Sequence, residues 1–244
     1  MSARLQAVSC SSLRDVWRGE ELARQEKVVS SGFAALDAQL PGGGWPVGCL
    51  VELLQSRPGQ HTWQLLLPAL LQAVQEQPGP VVLVGAPFEP FVPSLQARGL
   101  APQRLLRVQA AKPAACLWAA EQALRCAEVA AVLAWLPQAN GSELRRLHIA
   151  AQQHGRLLFA FRSLAAQRDA SSARLRLQLE GTQALEVRIL KRRGPPLLQP
   201  LRLPAHPPRL QALLEARKTR AGTPPILLPT GSRSHVLDRT AAIA

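Results

Sequence analysis

The stretch from Ser30 to Leu71, SSGFAALDAQLPGGGWPVGCLVELLQSRPGQHTWQLLLPALL, constrains the fold of this chain more than any other. It passes through a capped turn, a Gly-rich corner at Pro41-Gly42-Gly43-Gly44, a short apolar strand over Cys49–Leu54 and a loop over Gln55–Gln60. His61 and Thr62 then open an apolar helix carrying Leu65, Leu66, Leu67, Leu70 and Leu71. At the corner, three residues without Cβ let the backbone turn sharply without steric penalty. Strand, short loop and helix in this order is where phosphate-binding loops sit, because loop N–H groups and the helix dipole converge there.

The loop lacks the residues that chemistry needs. A working phosphate loop has Gly at both ends of a spacer, then Lys, then Ser or Thr. The frame here reads Gln55-Ser56-Arg57-Pro58-Gly59-Gln60-His61-Thr62. Gln55 and Gln60 stand where the permissive glycines belong, and Pro58 removes a backbone donor from the cradle. His61 replaces the ammonium that would reach the outer phosphates, and only Thr62 is where the pattern wants it. Gln55, Gly59, Gln60, His61 and Thr62 therefore read as a degenerate phosphate loop, for which no cofactor and no metal is expected.

The run VSSGFAALDAQL followed by GGGWPVGCLVELL resembles the core entry of the bacterial RecA family. The version from Gly42 to Pro46 is more closely similar to the ImuA family, RecA- and SulA-like proteins of bacterial mutagenesis operons. Leu117 to Arg125 (LWAAEQALR), Leu144 to Leu147 (LRRL) and Lys191 to Pro195 (KRRGP) extend the resemblance in the same order. It implies a RecA-like α/β fold: a mostly parallel sheet flanked by helices, with antiparallel strands at the C-terminal edge. It also implies an accessory, non-catalytic role in SOS-induced translesion DNA synthesis. The implied partners are an ImuB-like Y-family polymerase homologue, RecA and, indirectly, a DnaE-type error-prone polymerase. In ATPases of this class the strand corresponding to Val129–Leu136 ends in Asp, which holds Mg²⁺ through water. Here Ala134, Trp135 and Leu136 occupy that end, a second loss on the opposite wall of the same site.

The length of 244 residues suits one domain plus tails. The expected division is an N-terminal arm over 1–29, a RecA-like core over 30–204 and a mostly flexible tail over 205–244. There is no charged-then-apolar start and no apolar run of spanning length, so a cytoplasmic protein without membrane contact is expected. Twenty-nine basic residues against 16 acidic ones give a net charge of +13, which favours a polyanionic partner, most often nucleic acid. An Arg-rich composition is the plainer explanation of the same excess. Cys10, Cys49, Cys116 and Cys126 show no metal-ligand spacing and read as reduced thiols.

Along the chain, Ser11–Arg24 reads as an amphipathic helix suited to docking or self-association. Pro80–Gly85 and Val129–Leu136 read as buried strands. Glu89, just past the first of them, is the one candidate for a water-activating carboxylate. Gly141–His154 reads as a helix whose buried stripe includes His148, taken as a core histidine, while Arg145 and Arg146 lie off that stripe. Arg174–Leu179 and Leu185–Leu190 alternate strictly, which predicts half-exposed antiparallel strands with Arg174, Arg176 and Arg188 facing out. With Lys191, Arg192 and Arg193 at the following turn, these arginines and Arg145 and Arg146 are the expected DNA- or partner-binding residues. Pro137–Ser142 and Arg162–Ser172 are short where RecA has its two DNA-gripping loops, so RecA-type strand exchange is not expected. Two alternatives stand beside the accessory role: a divergent NTPase using Thr62 and Glu89, and a SulA-like cell-division inhibitor.

Overall fold

The structure, a computed structural model, describes residues 27–181 and 184–204, together with 213, 216 and 217. The helix expected over 11–24 and most of the segment 205–244 lie outside the described residues. The chain divides into two compact units, 1–205 and 206–244. In the second, Leu213, Ala216 and Arg217 are helical.

The first unit is built on an eight-stranded sheet. Its strands are β3 (Leu50–Gln55), β4 (Val81–Val84), β5 (Leu105–Val108), β6 (Ala131–Trp135), β7 (Leu157–Ser163), β8 (Leu175–Glu180), β9 (Leu185–Lys191) and β10 (Leu201–Leu203). A small ribbon, β1 (Val28–Val29) with β2 (Trp45–Pro46), precedes them. The order across the sheet is β10-β9-β8-β3-β7-β6-β4-β5. The pairs from β8 through to β5 are parallel, while β9 and β10 close the far side antiparallel. This is the expected α/β architecture.

Alternation along each strand sends side chains to two cores. On one face Val51, Leu53, Leu83, Leu133 and Phe159 pack under α2 (Thr62–Glu76), through Leu65, Leu66, Ala69 and Leu70. On the other face Leu50, Val82, Val132 and Leu158 meet α4 (Pro113–Arg125) and α5 (Gly141–His154). The short helices α1 (Ala34–Asp37) and α3 (Val92–Ala97) complete the set. Leu95 of α3 and Leu100 pack on Leu67 of α2.

The corner is made as the glycines suggest, with Gly42 at φ 79° and Gly43 at φ 81°. Gly32, at φ 80°, has a further reason: a Cβ there would lie 2.4 Å from Cβ of Pro68 in α2. The α5 boundaries are those read from the sequence, fixed by an Asn140–Glu143 capping box and by Gly155 in left-handed conformation.

The reading of β8 needs correcting. Leu175 to Leu179 are buried without a break, not alternately, and Arg176 is only 7% exposed. The face expected to meet water is covered by the segment 164–169, whose carbonyls receive the Arg176 guanidinium. Arg176 is therefore a structural residue and not a surface contact.

Candidate functional site

The loop after β3, read from the sequence as a degenerate phosphate loop, closes on itself. Gln55, at the end of β3 and 3% exposed, turns its amide into the loop. Its Nε2 donates to the Gln60 carbonyl at 2.5 Å, and its Oε1 accepts from the Gly59 N–H at 3.2 Å. The Gln60 N–H is spent on the Arg57 carbonyl at 3.2 Å. Two N–H groups of the loop thus have partners inside the loop, and a buried glutamine side chain lies among them. Gln55 Nε2 also lies 3.4 Å from Thr62 Oγ1, which is itself buried.

His61 does not stand in for a lysine. Its backbone is left-handed, at φ 60° and ψ 2°, so α2 starts only at Thr62. A non-glycine residue in that conformation costs about 1–2 kcal/mol. The ring is spent on neighbouring oxygens. Nε2 lies 2.7 Å from the Gly181 carbonyl and Nδ1 lies 3.0 Å from Gln64 Oε1. Gln60 Nε2 donates to the same Gly181 carbonyl at 2.7 Å, and Gln64 Nε2 donates to the Pro204 carbonyl at 2.9 Å. The loop and the start of α2 are thereby tied to the end of β8 and to the residue after β10.

Across the site, Trp135 ends β6. It is 9% exposed, and its ring stacks on Phe161 of β7 with centroids 4.4 Å apart and planes 11° from parallel. A cavity of about 180 Å³ lies between Trp135, Phe161, Gln55 and Pro58. A second, of about 190 Å³, lies between Thr62, Trp63, Trp135 and the Phe88–Phe91 segment. Glu89 borders the second cavity and is exposed. An aromatic stack thus stands at the C-terminal end of β6, where the sequence has no carboxylate.

Behind the loop lies an ion cluster that the sequence reading missed. Glu52, in the middle of β3, is fully buried. Its Oε1 accepts from Arg162 Nη1 of β7 at 3.0 Å, and its Oε2 lies 2.8 Å from Arg176 Nε of β8. Arg162 Nη2 reaches the Ala139 carbonyl at 2.7 Å and Asp169 at 2.9 Å. Arg176 reaches the Ala166 and Asp169 carbonyls at 2.8 and 3.2 Å. The two segments read as shortened DNA loops are therefore fastened to the sheet by these two arginines. The one available signal was a lone Glu inside an otherwise apolar strand.

The other expected contact residues fall into two groups. Arg146 is ion-paired with Glu121, as is Arg125, and the Arg146 hydrogen bond is the main cause holding the Glu121 carboxyl below its usual range. Arg192 donates to the Gln39 carbonyl at 2.6 Å and to the Pro195 carbonyl at 2.8 Å, so it ties the turn after β9 to the end of α1. Arg145, Arg174, Arg188, Lys191 and Arg193 are exposed. His148 is half-buried, and its Nδ1 accepts from the Leu50 N–H at 3.1 Å, as expected of a satisfied core histidine. Among the described residues, no group of His, Cys, Asp and Glu is placed to hold a metal ion, and no helix is long and apolar enough to cross a membrane.

Residues 48–158 match the family model described as cell division inhibitor SulA. A curated relative, the cell division inhibitor SulA of Edwardsiella piscicida, is 34% identical over 93 residues. That alignment covers 38% of this chain and 55% of the relative, so the chain spans about half the length of the curated protein it matches. The relationship to SulA runs from just before β3 to the start of β7. The Gly42–Pro46 corner and β8–β10 lie outside it.

Proposed function

We propose that this chain works by binding other proteins in the cell's response to DNA damage, on a RecA-like frame whose nucleotide site has been given up. The observation carrying this reading is the Gln55 amide, which takes up the Gly59 N–H and the Gln60 carbonyl inside the loop. The absence of a carboxylate at the end of β6 adds to it.

The partner has two readings, each favoured by a different part of the chain. The SulA match over residues 48–158 favours a division inhibitor, which would act on the tubulin-like division protein. The Gly42–Pro46 and Lys191–Pro195 segments, outside that match, favour the ImuA-like role in translesion synthesis. There the partners would be an ImuB-like polymerase homologue and RecA, with a DnaE-type polymerase joined through them.

Co-sedimentation with the purified division protein, beside pull-downs with an ImuB-like protein and with RecA, separates the two. Binding to the division protein alone supports the first reading, and binding to the ImuB-like protein or RecA alone supports the second. Folded protein that binds none of them would overturn the proposal.

A further inference from the structure

Trp135 also lines a larger cavity, and the sheet topology explains why it is there. β4 and β6 lie side by side and parallel, yet the chain leaves them in opposite directions: β4 leads outward to β5, and β6 leads back to β7. The helices that follow them take opposite faces. Leu95 of α3 packs with Leu67 of α2, while α5 shares the other core with α4. Adjacent strands whose connections part in this way leave a crevice outside their carboxyl ends, the place where α/β sheets take ligands.

The crevice holds a cavity of about 350 Å³, within the range of small-molecule sites. Its apolar wall is Cys116, Leu117 and Trp135. The Trp135 indole N–H is buried without a hydrogen-bond partner, so it gains from any acceptor brought beside it. The two helix starts that border the cavity carry opposite charge. Lys112 is the N-cap of α4 and is exposed, and no side chain caps that helix. At the start of α5, Glu143 Oε2 accepts from the Asn140 N–H at 2.8 Å within the capping box, which leaves Oε1 unused. Among the described residues, no ion pair involves Lys112 or Glu143.

We propose that this cavity binds a small zwitterion, a free α-amino acid with an apolar side chain. Its carboxylate goes to Lys112 and the uncapped start of α4, where the helix dipole favours negative charge. Its ammonium goes to the unused oxygen of Glu143, and its side chain to Cys116, Leu117 and Trp135. A simple anion is disfavoured because Glu143 borders the same space, and a simple cation because Lys112 does. A ligand carrying both charges meets both. The proposal depends neither on the loop after β3 nor on which protein the chain binds.

The test is ligand-observed NMR with calorimetric titration of the full chain, using L-leucine and L-phenylalanine at up to about 10 mM. Beside them run N-acetyl-L-phenylalanine, which lacks the ammonium, and L-phenylalaninamide, which lacks the carboxylate. Binding of the free amino acids is expected, with each blocked form weaker by about fivefold or more. Glu143→Gln, which keeps the capping box, is expected to weaken binding about tenfold, and the exposed Lys112→Ala about threefold. Arg98→Gln, at the end of α3, is expected to stay within about twofold. Circular dichroism checks that the variants fold, and the comparison among ligands needs no variant. Four results would overturn the proposal: no binding of either amino acid at the highest concentration, equal binding of free and blocked forms, equal losses in Arg98→Gln and Glu143→Gln, or binding of acetate or inorganic phosphate but not of the amino acids.

Discussion

Glu52 and Arg162 meet on neighbouring parallel strands, with Oε1 and Nη1 3.0 Å apart and both side chains sealed from water. Arg176 completes the contact from the strand on the other side of β3. A buried carboxylate between two guanidinium groups adds little net stability compared with an apolar core, yet removing one member leaves charge uncompensated. Glu52→Ala is expected to lower unfolding free energy by about 3–5 kcal/mol. Glu52→Gln, which keeps hydrogen-bond capacity, is expected to lose less. Urea unfolding measures both, and a loss below about 1 kcal/mol for Glu52→Ala would contradict a buried ion cluster.

The arginines divide by role, and stability measurements should show it. Arg176→Ala strips partners from Glu52 and from three carbonyls, so a large loss is expected, on the scale of Glu52→Ala. Arg145→Ala, on an exposed face, is expected to stay within about 0.5 kcal/mol of the parent. Equal effects in urea would mean that the burial assigned to Arg176 is wrong.

Gln55 closes the loop through one donor and one acceptor. Gln55→Ala leaves the Gly59 N–H and Gln60 carbonyl without these partners, at an expected cost of about 1–3 kcal/mol. Gln55→Glu keeps the acceptor toward Gly59 but sets a carboxylate against the Gln60 carbonyl, so it too is expected to destabilise. Thermal unfolding of the two variants checks this, and unchanged midpoints would mean that the loop does not depend on Gln55.

His148 gives the fold a pH dependence of definite sign. Burial first, then the charges of Arg145 and Lys191, hold its pKa below the ordinary 6.5. The Leu50 N–H also requires an unprotonated Nδ1. The unfolded chain therefore takes up this proton more readily than the folded one. The stabilisation is full above about pH 6.5 and is lost as the pH falls through the lower, folded-state value. His148→Asn offers an acceptor in nearly the same place and should flatten the stability profile between about pH 7 and 5. A parent profile that is already flat, or a variant with the parent's slope, would contradict this.

The sheet was legible because its central strands are continuous apolar runs, and Pro80–Gly85 and Val129–Leu136 each contain the strand found. The bounds of α5 were legible because its caps are written in Asn140, Glu143 and Gly155. The loop's departure from the phosphate-binding pattern was legible from Gln55, Pro58, Gln60 and His61. That Gln55 would turn into the loop was not, because a glutamine's rotamer depends on partners brought together by the fold. Arg176 was misread because alternation locates the second face of a strand but not what covers it. The segment that covers it, 164–169, carries no strong pattern of its own, and the same gap hid the partners of Glu52.

The most direct test of the central claim is calorimetric titration of the full chain with ATP and Mg²⁺, beside a hydrolysis assay. A loop occupied by Gln55, facing a strand end without a carboxylate, predicts no binding heat and no turnover above buffer. Micromolar binding that disappears in Thr62→Ala would contradict the account, and would mean that Gln55 gives way to a nucleotide at this site.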